Sequence, residues 1–447
     1  MEVREPGLEL KWTTRRSRLK DAILASFREP AADFSLLFGS FNERDWRGVM
    51  RWLDFSGLAL YFLDRVNSLG AEVCIPKAIF VRLQRNLEHN RRRTVALFEE
   101  TVVIASRLKE QNVSFALLKG ITLSPEPIAD ISLRCQMDID ILIRSSDAIA
   151  TRNTLRRIGY ELHSIKGQEW VFAAGGEKVM GKKELYEVRP QKMVEIHLLS
   201  RSDDDGVASP EDRLTRAHPR VFQGFQSPAL SPPDQFVQQG LHILRHLCGE
   251  HTRAQWLLEY WWFVRIRSED VEFWKEVEAV AATEPNAALA IGVAILLATR
   301  LFGKCAPPEL AESFVGKLPI GVRLWVETYG HRVLTSVLPP SKFYMLLREQ
   351  LSTGRSSPRS SNWRFLLPFH WWPTPISHGR PGERFASRLS RYASEVRHVL
   401  ERFQFHVWTS IPFAIESLRW RKMMAERKDA MAAAFLQSQL GMPPDRQ

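Results

Sequence analysis

Two aspartates spaced two apart in an otherwise apolar run constrain this chain more than any other feature. The run is Met137-Asp138-Ile139-Asp140-Ile141-Leu142-Ile143. In a strand, residues two apart point to the same face. Asp138 and Asp140 therefore share one face, and Ile139, Ile141 and Ile143 share the other. The isoleucine face belongs in a core. The acidic face holds two carboxylates roughly 7 Å apart at the backbone. Like charges that close repel unless a cation or a proton sits between them. Their oxygens are hard ligands, suited to magnesium or manganese. Just upstream, Val113–Leu118 reads as a second strand, ending in Lys119-Gly120.

A third strand repeats the device. In Met193–Leu199, Glu195 and His197 take one face while Val194, Ile196 and Leu198 take the other. If the two acidic strands are neighbours in one sheet, Asp138, Asp140 and Glu195 converge. Three carboxylates holding two divalent cations suit nucleotidyl transfer, in which metal activates the attacking hydroxyl and neutralises the leaving pyrophosphate. A glycine after a strand lets the backbone approach phosphate, and Gly120 meets that need. Lys119 beside it supplies a point charge. His197 can contact phosphate, shuttle a proton, or orient Glu195. Each motif alone is weak. Their order, strand, Lys-Gly, loop, Asp-x-Asp, helix, then Glu-x-His, is more specific.

The rest of the chain reads mainly as helix. Helices are expected after Asn42, over Leu58–Val66 up to Gly70, and as one long helix from Pro76 to Gln111 interrupted by Arg91-Arg92-Arg93, a triplet that reads as a solvated face or a phosphate contact. Asp147–Ile158 is a helix capped by Ser145 or Ser146 and ended by Gly159. Trp170–Ala174, Gly175-Gly176 and Leu185–Val188 suggest a hairpin, and Arg201–Pro233 a loop. Further helices follow from Asp234, over Trp256–Arg267, Val271–Ala282 and Ala287–Phe302, and from Pro319 to Leu338. His242 and His246 lie one turn apart, but no glutamate completes a zinc-protease pattern, so packing or a polar cleft is the expected role. Ser352–Arg364 reads as a mobile connection, Phe365–Pro375 as a proline-bounded segment with Trp371 and Trp372, and Gly441–Gln447 as disordered. Four regions result: 1–111 helical; 112–200 the core with the acidic strands; 201–338 helical and completing a cleft; 339–447 a basic, aromatic-rich helical tail.

A formal net charge of +11 over 447 residues favours an acidic partner. Arginines mixed with aromatics in the tail suit stacking on bases, packing on the body, or peripheral contact with a membrane. Cys74, Cys135, Cys248 and Cys305 lie far apart, with no paired spacing, which fits a reducing cytoplasm. The first residues carry no apolar signal core. The uncharged part of Ala287–Phe302 is too short to span a bilayer. The expectation is a cytoplasmic protein without a transmembrane segment.

The sequence resembles the uncharacterised bacterial nucleotidyltransferase family of the polymerase-beta-like superfamily. The likeness rests on Leu117-Leu118-Lys119-Gly120, Leu133-Arg134, Met137–Ile143, Gly159-Tyr160 and Val194-Glu195-Ile196-His197, and spans about Phe41 to Gly303. It implies an α+β fold: a small mixed β-sheet core with helical N-terminal and C-terminal regions. It implies magnesium, or manganese, at Asp138 and Asp140, with Glu195 as third carboxylate and base, and Lys119, Gly120 and Arg134 facing the triphosphate. The partners are then a nucleoside triphosphate such as ATP and an unknown hydroxyl-bearing acceptor, whether small molecule, protein or RNA. The superfamily's Gly-Ser phosphate loop appears here as Lys-Gly, and Glu259 stands where the family tends to have Asp. The rival expectation is a non-catalytic protein of this fold that binds nucleic acid or an anionic membrane surface.

Overall fold

Alternation places Ile139, Ile141 and Ile143 in a core, and the computed structural model builds a sheet around them. It describes residues 15–175, 185–188, 192–199, 213–222, 224–336, 341–352 and 385–439. The chain divides into two compact units. One comprises Met1–Arg245 with Thr252–Leu318, and the other His246–His251 with Pro319–Gln447.

The first unit opens with helices α1 (Arg15–Ala25), α2 (Phe34–Phe38), α3 (Glu43–Phe55), α4 (Ala59–Ser68) and α5 (Lys77–Glu110). Asn42 starts α3 with a reciprocal cap: its side chain accepts from the Asp45 amide while Asp45 accepts from the Asn42 amide. Pro76 precedes α5, which runs unbroken through the arginine triplet. Arg93 is buried there and donates to the Leu185 carbonyl, so only Arg91 and Arg92 form the solvated face.

The sheet has strands β1 (Phe115–Leu118), β2 (Ile139–Arg144), β3 (Glu161–Lys166), β4 (Glu169–Ala174), β5 (Lys192–Leu199), β6 (His218–Phe222) and β7 (Phe225–Ala229), with α6 (Ala148–Arg157) between β2 and β3. Its order is β3-β4-β5-β2-β1-β7-β6. β2 runs parallel to β5 and β1 parallel to β7, while the other neighbours are antiparallel. The sheet is mixed, as the α+β expectation requires. One face is packed by Ile139, Ile141, Ile143, Val194 and Ile196 against Ile104 and Leu108 of α5 and Leu155 of α6. The opposite face carries a smaller apolar cluster of Ala116, Leu118, Leu142 and Leu230. Asp140 lies on this second face.

Several local expectations change. Asp138 sits just before β2 rather than within it. β3 and β4 form their own hairpin, with Gly167 at positive φ in its turn, and β4 then pairs with β5. Leu185–Val188 is not a strand, so no hairpin joins it to Trp170–Ala174. The Ser145 hydroxyl donates to the Leu199 carbonyl instead of capping α6, which starts after a short 3-10 turn. The expected loop Arg201–Pro233 contains β6 and β7, a hairpin in which Pro219 faces Pro228. Proline gives no ladder donor and is tolerated in edge strands such as β6.

Helices α7 (Pro232–Leu247), α8 (Ala254–Ile266), α9 (Val271–Thr283), α10 (Ala287–Phe302) and α11 (Pro308–Ala311) follow. Ser231, not Asp234, caps α7: its hydroxyl accepts from the Asp234 amide and donates to the Asp234 carboxylate. α10 is apolar all round because it is buried, packed on α8. No helix among the described residues is long and apolar enough to cross a membrane.

The second unit holds α12 (Ile320–Trp325), α13 (His331–Thr335), α14 (Tyr344–Ser352) and α15 (Phe385–Gln439). A π-turn, Val326–Gly330, joins α12 to α13 within the expected Pro319–Leu338 helix. The expected connection after Ser352, the Trp371-Trp372 segment and Gly441–Gln447 lie outside the described residues.

Candidate active site

The parallel pairing of β2 with β5 brings the acidic motifs together. Asp140 stands directly opposite Glu195, and Leu142 opposite His197. On the other side β1 places Leu118 opposite Asp140, so the Lys119-Gly120 turn begins beside the aspartate. The two strands that carry the acidic motifs are neighbours in the sheet.

Asp140 is the hub. It is 5% exposed, and its Oδ1 accepts from Lys119 Nζ at 2.7 Å and from His197 Nε2 at 2.9 Å. Burial opposes its ionisation, but the Lys119 ammonium and the His197 bond outweigh burial and hold the carboxyl well below the usual carboxylate range. Glu195 fares differently. Burial, then the charges of Asp140 and Asp138, push its carboxyl up to about 7. Asp138 is half-buried. Loss of solvent, then the nearby Asp140, raises its carboxyl as well.

His197 bonds to Asp140 rather than to Glu195, whose Oε2 lies 3.9 Å from Nε2. Its Nδ1 is 3.6 Å from Glu169 Oε1. Glu169, at the start of β4, is also ion-paired with Arg245 of α7. Burial raises the Glu169 carboxyl, but Arg245 and then His197 outweigh it and leave the carboxyl lowered. Glu169 and Arg245 were missed in the sequence. Period-two alternation along β4 puts Glu169 on the site's face, but nothing local says that β4 pairs with β5.

The turn itself is strained. Lys119 and Gly120 both have positive φ, +46° and +43°. A Cβ on Gly120 would lie 2.1 Å from Gln136 Nε2. That amide in turn donates to the Asp138 carbonyl at 2.6 Å. Gly120 is thus needed for the close approach of Gln136, which holds the backbone at the first aspartate. Gln136 is a second residue that the sequence did not single out.

Arg134 is placed nearby but is occupied. It is buried, and its Nε donates to Glu259 Oε1 at 3.0 Å. The same oxygen accepts from Tyr61 Oη and Gln255 Nε2, each at 2.9 Å. Glu259 is therefore the anchor for Arg134. Both line a cleft, partly open to solvent, together with Lys119, Gln239, His242 and Trp256. His242 packs its ring against Trp256, centroids 4.6 Å apart. His246 meets the carbonyl of His251, with Nδ1 at 3.1 Å.

Among the described residues, one acidic and histidine cluster has ligand atoms close enough to share a cation: Asp140, Glu195 and His197, within 4.8 Å of one another. The Asp138 carboxylate is not in that cluster.

A family model described as an uncharacterised nucleotidyltransferase matches residues 42–303. No curated protein matches the chain. Among solved structures, the chain is similar to an antigenic nucleotidyltransferase-like protein from Paracoccidioides brasiliensis, at 15% identity and a TM-score of 0.27, over 46% of this chain and 93% of that one.

Proposed function

We propose a reaction from one premise: this chain belongs to the uncharacterised nucleotidyltransferase family. The reaction is transfer of a nucleoside monophosphate from a nucleoside triphosphate to a hydroxyl-bearing acceptor, with release of pyrophosphate. The observation that carries it is the register of Asp140 against Glu195, beside the Lys119-Gly120 turn.

The donor set fits a hard divalent cation. Two carboxylates and an imidazole converge at Asp140, Glu195 and His197, and Asp138 makes no ion pair among the described residues although it lies next to Asp140. Asp138, Asp140 and Glu195 would hold magnesium or manganese, both of which suit carboxylate oxygens. The bound ion would neutralise the triphosphate and acidify the acceptor hydroxyl.

The remaining work falls to this chain's own groups. Lys119 is a compact cation at the turn, free to trade the Asp140 oxygen for a phosphate oxygen. Gly120 leaves its backbone open to phosphate. Glu195, directly opposite Asp140 across the sheet, would take the acceptor's proton. His197 fixes the Asp140 carboxylate through Nε2. Arg134 contributes field rather than a free fork, since Glu259 holds its Nε.

The test is calorimetric titration of each common ribonucleoside triphosphate into wild type with magnesium, with EDTA, and into Asp138→Ala/Asp140→Asn. Magnesium-dependent binding that the double variant loses supports the reading. Binding that ignores both magnesium and the aspartates overturns it.

A further inference from the structure

Gln239 on α7 is 8% exposed and lines the cleft beside Lys119. Both ends of its amide, Oε1 and Nε2, lack a hydrogen-bond partner. Buried amides are almost always satisfied, and an orphaned one is costly. Its neighbours on the helix are engaged: Gln235 donates to the Thr122 carbonyl at 3.0 Å, and Gln238 accepts from Arg213. The second oxygen of Glu259, at the same cleft, is also buried without a partner. Trp256 and leucines such as Leu117 and Leu118 complete the walls.

We propose that this cleft receives the nucleobase of the triphosphate and that Gln239 reads its edge. This rests on the nucleotidyl-transfer reading. A base edge presents a donor and an acceptor side by side, which matches both ends of one amide at once. A hydroxyl offers a single atom and cannot. A base also brings a flat π-face to a cleft walled by an indole and aliphatic side chains. Lys119 at the cleft's edge ties the base site to the phosphates.

The experiment measures binding to the full chain with magnesium, using the common ribonucleoside triphosphates and inorganic tripolyphosphate as probes, in wild type and Gln239→Leu. Leucine fills similar volume and removes both orphaned atoms, so the variant should melt no lower than wild type. The expected result is about tenfold weaker nucleotide binding in the variant, with tripolyphosphate unchanged and weaker than nucleotide in wild type. Equal nucleotide affinity in both proteins, or tripolyphosphate binding as tightly as nucleotide, overturns the base site and leaves the transfer reading standing. If no probe binds wild type, both fall.

A separate observation in the second unit carries a second inference. Along α15, Phe385, Val396, Val407 and Leu418 recur every eleven residues. Leu389, Leu400 and Ile411 repeat at the same interval, as do Tyr392 and Phe403. All nine are 48% to 79% exposed. Eleven residues make three helical turns, so the rows stay aligned along the axis over roughly 50 Å. The opposite face is spent on the unit itself: Phe405, Phe413 and Trp420 are buried, and Arg402 pairs with Glu250. Helical projection puts exposed Arg388 and Arg421 on one margin of the stripe and exposed Arg397 and Arg419 on the other, Arg419 also pairing with Glu416.

We infer that this face lies on an anionic lipid surface. An apolar stripe between basic margins suits acyl chains beneath anionic headgroups. Two copies paired in parallel through the same stripe would set arginine against arginine. The full chain is to be floated with phosphatidylcholine vesicles, with and without phosphatidylglycerol, as wild type and as Leu400→Glu/Ile411→Glu. Both changes are on the exposed face, and circular dichroism checks that the helix persists. Retention on anionic vesicles only, weakened by salt and lost in the variant, supports the inference. No retention of wild type, or a wild-type dimer that the variant converts to monomer, overturns it.

Discussion

Removing Asp140 or Asp138, two residues apart, should move stability in opposite directions. Asp140 is buried and accepts from Lys119 and His197 on one oxygen. Its loss leaves an ammonium, 14% exposed, without its counter-ion. Breaking a buried pair from one side costs about 3–5 kcal/mol. For a unit of this size that lowers the melting temperature by on the order of 5–10 °C. Asp140→Asn keeps an acceptor and loses the charge, so it should fall between wild type and Asp140→Ala. Asp138 is the reverse case. Burial and the Asp140 charge raise its carboxyl, so the ionised form is disfavoured in the folded state. A raised acid stabilises the fold fully at low pH and loses that contribution as pH rises through its folded value. Asp138→Ala removes the repulsion, so the variant should melt at or above the wild-type temperature near neutral pH. The assay is differential scanning calorimetry of the full chain in EDTA, following the transition of the unit that carries the sheet, since two units need not melt together. Equal losses in both variants, or no loss in Asp140→Ala, would refute the reasoning.

Other outcomes follow from the same geometry. The Glu195 carboxyl, pushed up to about 7 by burial and its acidic neighbours, should contribute about 3 kcal/mol that is present at acid pH and lost as pH rises through 7; denaturant midpoints across that range in EDTA should show the slope, and Glu195→Gln should flatten it. For the same reason magnesium affinity should climb with pH up to about 7 and level off above it, as read by calorimetry in wild type. Gly120→Ala forces a side chain onto the Gln136 amide at positive φ, so it should cost on the order of 1–3 kcal/mol and weaken metal-dependent binding, whereas Gly70→Ala, also at positive φ but with open space, should leave binding intact. Glu259→Ala strands buried Arg134 and should cost about 3–5 kcal/mol, while adding Arg134→Ala should restore part of it; strict additivity in that double-mutant cycle would count against the pair.

The site's acidic half was legible because strand alternation is local. Ile139, Ile141 and Ile143 had to share a face, and so did Glu195 and His197. What alternation cannot supply is which strands pair. Glu169 and Arg245 enter the site through contacts with residues far along the chain, Gln239 through the placing of α7 along the cleft, and Gln136 through the close approach of Gly120; each looks like an ordinary polar residue in its own stretch. β6 and β7 were hidden for a different reason. Pro219 and Pro228 read as breakers, yet one lies on an edge strand and the two face each other. The arginine triplet failed by averaging. Three like charges in a row suggest solvent, but a helix turns each by about 100°, and Arg93 points inward to Leu185.

The charge of the whole chain and the charge of the site point in opposite directions, and the site decides. The chain carries +11, which taken alone favours an anion binder. At the site, Arg134 is spent on Glu259 and Arg245 on Glu169. Lys119 and His197 both lean on Asp140. Asp138 and Glu195 are then left in excess, and both carboxyls are raised, by burial first and then by the charge of their acidic neighbours. A bare triphosphate entering this place meets repulsion. On the proposed function a divalent cation would be drawn to it, and once bound would give the polyphosphate a reason to follow. A protein that only held phosphate would gain nothing from such an arrangement, since every carboxylate in the cleft would weaken its grip. The acidic excess therefore favours ordered entry, cation before or with nucleotide. That order has its own signature: magnesium should bind measurably with no nucleotide present, and nucleotide should not bind measurably without the metal.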